Sequence, residues 1–109
     1  MLLFFTACKE KPIVSPEGPR IFDRVVLVEE FTGVQCTPCA AASAQLESLS
    51  NIYPDNMVVV AIHAGELAPP YPNSNYDLRT EDGDNIMNYL GEPYANPSAV
   101  FNRKSYEWC

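Results

Sequence analysis

The chain has 109 residues, four cysteines and a formal net charge of −7. That length allows one domain, and 47% hydrophobic against 19% charged residues describes a folding chain rather than a disordered one. Arg103–Lys104 is the only adjacent basic pair, which argues against nucleic acid as a partner, and four unevenly spaced cysteines suit neither a disulfide-stapled mini-protein nor a paired zinc site.

Residues 2–7 read LLFFTA. The run is far short of the roughly twenty apolar residues that span a bilayer. It has the character of the end of a signal-peptide apolar region. Thr6 and Ala7 are small and Cys8 follows at once. The arrangement resembles a bacterial lipobox, in which the cysteine carries lipid and opens the mature protein. Phe5 stands where Leu is more usual, and no basic residue precedes the run. Residues 1–8 are therefore expected to be the end of an export signal with Cys8 lipidated. The alternative is an accidental apolar N-terminus with a free cysteine. Residues 9–21 hold three prolines, a glycine and mixed charges. They read as a linker that holds a domain off a membrane, or as an ordinary tail.

Residues 25–31 (VVLVEEF) form a branched, aliphatic run. It is expected to be a strand covered on both faces, as in a parallel sheet. Thr32 and Gly33 break it. Pro38 opens a helical stretch, where a missing N–H costs nothing. Ala42, Leu46, Leu49 and Tyr53 recur at spacings of four, three and four and predict one inward face. Pro54, Asp55 and Asn56 end the helix. Residues 57–62 (MVVVAI) predict a second buried strand. Strand, helix and strand of these lengths predict a right-handed parallel crossover. Residues 84–90 predict a short helix closed by Gly91. Residues 98–102 (SAVFN) predict a third strand. The fold class is α/β.

Cys36 and Cys39 stand two residues apart between the first strand and the first helix. Unpaired helix N–H groups and the helix dipole lower the pKa of a thiol placed there. The thiolate is the species that attacks a disulfide. Cys36 is thus the expected exposed nucleophile and Cys39 the more buried resolving thiol. Half a zinc site would need a second CxxC or a His pair, and none is present. An inert structural bridge and a lone-CxxC metal carrier remain as alternatives.

VLVEEFTGVQCTPC resembles the first strand and redox loop of the thioredoxin superfamily. Together with ANPSAVFNR near the end, it is similar to a subset of bacterial outer-membrane-associated thioredoxin-like lipoproteins. The resemblance covers about residues 22–103. It implies a thioredoxin-like βαβ core followed by a cis-proline strand, and thiol–disulfide exchange outside the cytoplasm. It calls for no metal or organic cofactor. The implied partners are exported protein thiols and disulfides, with a membrane thiol donor where the protein works as a reductase. Gln35 departs from the family, which usually carries tryptophan there. Asn96-Pro97-Ser98 matches the cis-proline motif, so Pro97 and the Asn96 backbone are expected to dock substrate. Thr37 and Pro38, between the cysteines, complete that surface. A trans proline that only starts an edge strand is the alternative. Glu30 matches a buried acid beneath the resolving cysteine, and would take the Cys39 proton. The alternative is that Glu29 and Glu30 mark a solvated strand end.

His63 has no companions at metal-ligand spacing, and a hydrogen-bonded structural histidine is the expectation. The stretch 65–83 contains Pro69, Pro70, Tyr71, Pro72 and Tyr76. It is long for a connection and reads as a roof over the cysteine pair or as a solvated insertion. Glu81, Asp82 and Asp84 read as a helix start. Cys109 is an orphan once the other three are assigned. The domain is expected over residues 22–109. A full thioredoxin fold carries a further strand and helix after the cis-proline strand, so the sequence is expected to be clipped there, and at its N-terminus as well, and to be weakly stable in isolation.

Overall fold

The fold is that of a computed structural model, which describes residues 23–104. Cys8, the 9–21 linker and Cys109 lie outside the described residues. Five elements follow in chain order: β1 (Val26–Thr32), α1 (Cys39–Ile52), β2 (Met57–His63), α2 (Glu81–Leu90) and β3 (Ser98–Phe101). They build a mixed three-stranded sheet of order β2-β1-β3. β1 runs parallel to β2 and antiparallel to β3. Parallel neighbours need a crossover, and α1 provides it.

Glu30 pairs with Ala61 on one side and Ala99 on the other, and Phe31 with Ile62 and Ser98. Side chains alternate between faces along a strand. Val28, Glu30 and Thr32 therefore share the face beneath α1, while Glu29 and Phe31 share the other. From Val28 to Thr32 every residue of β1 is buried, as the apolar run requires of a central strand.

β2 overturns an expectation. Read as a buried strand, it instead leaves Val58 50% exposed and Val60 exposed as well. The cause is its edge position and the reach of α2. Ile86, Met87 and Leu90 pack only on Phe31, Ile62, Ala64 and Val100, at one end of that face.

α1 starts one residue later than expected. Pro38 (φ −76, ψ −10) is its N-cap and Cys39 its first helical residue. The inward face is also rotated from the expected one. Leu49 is 42% exposed. The covered positions are Cys39, Ala42, Ser43, Leu46, Ser50 and Tyr53, again three and four apart. Cys39 is pinned inward, which turns the stripe toward the two serines and leaves Leu49 at its margin.

α2 begins at Glu81, earlier than the apolar pattern indicates. Thr80 Oγ1 accepts the Gly83 N–H at 2.9 Å, a side-chain cap. Glu81, Asp82 and Asp84 occupy the first turn, where the helix dipole favours negative charge. Gly91 (φ 92) closes the helix in a conformation that suits glycine.

β3 ends in a turn made by Asn102 and Arg103, each at φ 52. The Asn102 side chain accepts the Leu27 N–H at 2.9 Å, and the Asn102 N–H donates to Leu27 O at 2.8 Å. The turn carries Arg103 back to Glu29. Arg103 Nη2 donates to Glu29 Oε1 at 2.7 Å and Nε to Oε2 at 3.0 Å. The guanidinium also lies 5.8 Å from the Tyr89 ring centroid. One side chain thus joins β1, α2 and the end of β3. Its hydrogen bonds to Glu29 push the Arg103 pKa above the usual guanidinium value.

Candidate functional site

β1 delivers the chain to the top of the sheet, and a tight turn converts it into α1. The Cys36 N–H donates to Gly33 O at 3.1 Å, and the Cys39 N–H to Cys36 O at 3.2 Å. This places the two Cα atoms 5.4 Å apart, and Cys36 and Cys39 form a disulfide. No side chain caps the start of α1, so the helix presents its N-terminal dipole at the sulfurs. Thr37 and Pro38 are exposed between them.

The expected exposure of Cys36 needs correction. It is only 6% exposed, against 2% for Cys39. The order is as anticipated, but both residues are buried. The turn is folded in beneath a segment of the proline-rich loop. The Gln35 N–H donates to Leu67 O at 2.9 Å, and Gln35 Nε2 donates to Pro69 O at 2.9 Å. Gly33 lies directly under the same backbone. A Cβ on Gly33 would overlap the Leu67 carbonyl and stand 2.8 Å from Ala68 N. The loop therefore reaches the cysteine turn through the main-chain carbonyls of Leu67 and Pro69, at the residues just before Cys36. Tyr71 and Tyr76, farther along it, are exposed. Asp77 and Arg79 form a local exposed ion pair at 2.7 Å.

Glu30 lies beneath α1. Like Glu29, it is only 3% exposed, which rules out a solvated strand end for both. Ser43 Oγ donates to Glu30 Oε1 at 2.7 Å. Ser43 is one helical turn beyond Cys39 on the same inward stripe, about 6 Å along the axis. Sequence reasoning missed this serine. Its only signal was the spacing of four from Cys39 inside an otherwise alanine-rich stripe.

The Asn96–Pro97 peptide is cis. Ser98 pairs with Phe31, so Pro97 enters the sheet at the end of β1 from which the cysteine turn departs. Pro97 is exposed and Asn96 half-buried. The Asn96 Oδ1 and Ser98 Oγ atoms are buried without a hydrogen-bond partner. Among the described residues, no hydrogen bond links Asn96 to the cysteine turn.

His63 does not behave as a fully hydrogen-bonded structural residue. Its Nδ1 is buried without a partner. Its main chain forms an isolated bridge to Arg79, but no side chain follows it in. Among the described residues, no three His, Cys, Asp or Glu side chains converge as a metal site. No helix among them is long and apolar enough to cross a membrane.

Comparison with known proteins yields no matching family model, no matching curated protein and no matching solved structure.

Proposed function

We propose that this chain is a thioredoxin-like thiol–disulfide oxidoreductase of the cell envelope. The observation that carries the reading is the Cys36–Cys39 disulfide at the junction of a central buried strand and an uncapped helix start. In the dithiol form, Cys36 attacks a disulfide of an exported protein and Cys39 resolves the mixed disulfide. Glu30 takes the Cys39 proton. Pro97 and Asn96, with Thr37 and Pro38, dock the extended substrate. A membrane thiol donor returns two electrons to the pair. Cys8 carries a lipid anchor, as in the outer-membrane-associated lipoproteins that the sequence resembles.

The test is catalysis of insulin disulfide reduction by the chain, with C36S and C39S alongside. The wild type is expected to accelerate reduction, C36S to be inactive, and C39S to accumulate a covalent complex with its substrate. The reduction potential then sets the direction of work. A value near about −270 mV marks a reductant and one near −120 mV an oxidant. Absence of both turnover and the C39S adduct refutes the reading. For the anchor, labelled palmitate should enter the wild type and not C8S.

The 6% exposure of Cys36 favours a second reading. There the fold is a non-catalytic envelope module with an inert bridge. It predicts no turnover, no adduct, and a Cys36 thiol pKa at or above the free value of about 8.5.

A further inference from the structure

We infer that Ser43 is a positioning residue for the resolving half of thiol–disulfide exchange, because it holds the Glu30 carboxylate one helical turn from Cys39. This deepens the oxidoreductase reading and rests on it. Three observations converge. Glu30 is 3% exposed, on the sheet face beneath α1. Ser43 Oγ donates to its Oε1 at 2.7 Å. Cys39 and Ser43 are separated by four residues, which places them on one side of α1. Ser43 is the hydroxyl that binds the acid, and among the described residues only Oε1 of Glu30 is engaged.

The step balances as follows. The mixed disulfide joins Cys36 Sγ to a substrate sulfur, and Cys39 is a thiol. The Cys39 proton passes to the Glu30 carboxylate. The Cys39 sulfur attacks Cys36 Sγ, so the Cys36–Cys39 bond forms and the Cys36–substrate bond breaks. The substrate sulfur leaves with that bond's electron pair and is protonated from solvent. The cysteine pair has then given two electrons to the substrate disulfide, and an external dithiol restores them.

A hydroxyl that donates to a carboxylate favours its charged form, the form able to accept the proton. It also fixes which oxygen remains for the proton. Removing it frees the carboxylate to turn away, so the resolving step slows while the first attack by Cys36 is untouched. The other titratable groups on this face, among the described residues, are Cys39 on α1, Tyr53 at its C-cap and His63 on β2, which pairs with Thr32. β3 contributes Ala99 opposite Glu30, and Glu29 points to the other face with Arg103.

The experiment uses rapid mixing of the reduced full chain, in a C8S and C109S background, with 5,5′-dithiobis(2-nitrobenzoate), whose first coloured thiolate reports attack by Cys36 and whose second reports resolution by Cys39. Release of the coloured thiolate is followed from pH 5 to 9 for wild type, S43A, S43T, E30Q and H63N. The expected result is that E30Q slows the second release far more than the first and that H63N slows neither. S43A should slow the second release about tenfold with the first unchanged, and S43T should restore it. Should S43A fail to fold, S43V against S43T makes the same comparison. A second release as fast in S43A as in wild type, while E30Q still slows it, overturns the role of Ser43 and leaves the oxidoreductase reading intact. A mixed disulfide that never resolves in wild type overturns both.

Discussion

Replacing Gly33 with alanine tests the contact between the proline-rich loop and the cysteine turn. The added Cβ would overlap the Leu67 carbonyl and stand 2.8 Å from Ala68 N, and both neighbours are backbone rather than flexible side chains. The loop must move to admit it. Movement breaks the bonds from Gln35 N to Leu67 O and from Gln35 Nε2 to Pro69 O, each 2.9 Å long. Two such bonds contribute about 1–3 kcal/mol together, in line with the usual cost of about 1–3 kcal/mol for overpacking. Alanine also restricts the unfolded chain, which offsets about 0.4–1 kcal/mol. The net expectation is destabilisation by about 1–2 kcal/mol, or a lower Tm by about 4–8 °C per kcal/mol for a domain of this size. Urea unfolding of the oxidised protein, followed by circular dichroism, gives the energy. Hydrogen exchange at the Gln35 amide reports the loop contact directly. Q35A, which removes only the side-chain bond, should lose less. A G33A protein as stable as wild type, with the Gln35 amide still protected, would refute the reasoning.

Phe31 is 1% exposed in the cluster beneath α2, so F31A should cost about 3–5 kcal/mol, a large share of a small domain's stability; the denaturant midpoint measures it. T80A removes the cap on Gly83 N and should cost about 0.5–2 kcal/mol, while T80S should cost much less. The Arg79 side chain, then the Arg79 backbone N–H, hold the Asp77 carboxyl down from 3.8 to about 2. Because folding lowers this pKa, the pair's contribution is fully present above pH 3.8 and fades as the pH falls through 2. Carboxyl NMR should find Asp77 titrating near 2 in wild type and nearer its ordinary value in R79A.

The strand–helix–strand core was legible because its signals are local. A continuous apolar run, a proline at a helix start and a β-branched run each occupy fewer than fifteen residues of chain. The Glu81, Asp82 and Asp84 cluster was legible as a helix start for the same reason. What escaped depended on distance or on rotation. Arg103 meets Glu29 across 74 positions of sequence, and no local pattern links them. Val58 looks like Val28 in sequence, and only strand order makes one an edge residue and the other central. Leu49 satisfied the helical spacing but not the direction set by Cys39. That same rotation hid Ser43, whose partner Glu30 lies on another element. The seating of the cysteine turn was illegible because Gln35, just before Cys36, is held by a loop that begins almost thirty residues later.

The attachment of that loop has an evolutionary consequence. Gln35 grips Leu67 and Pro69 by their carbonyl oxygens, and every amino acid carries one. The residues beyond the grip, Tyr71 and Tyr76 among them, are exposed and add nothing to it. Their identities can drift while the seam holds. The seam is thus held by backbone, and substitutions at Tyr71 or Tyr76 can leave the seating of the cysteine turn undisturbed.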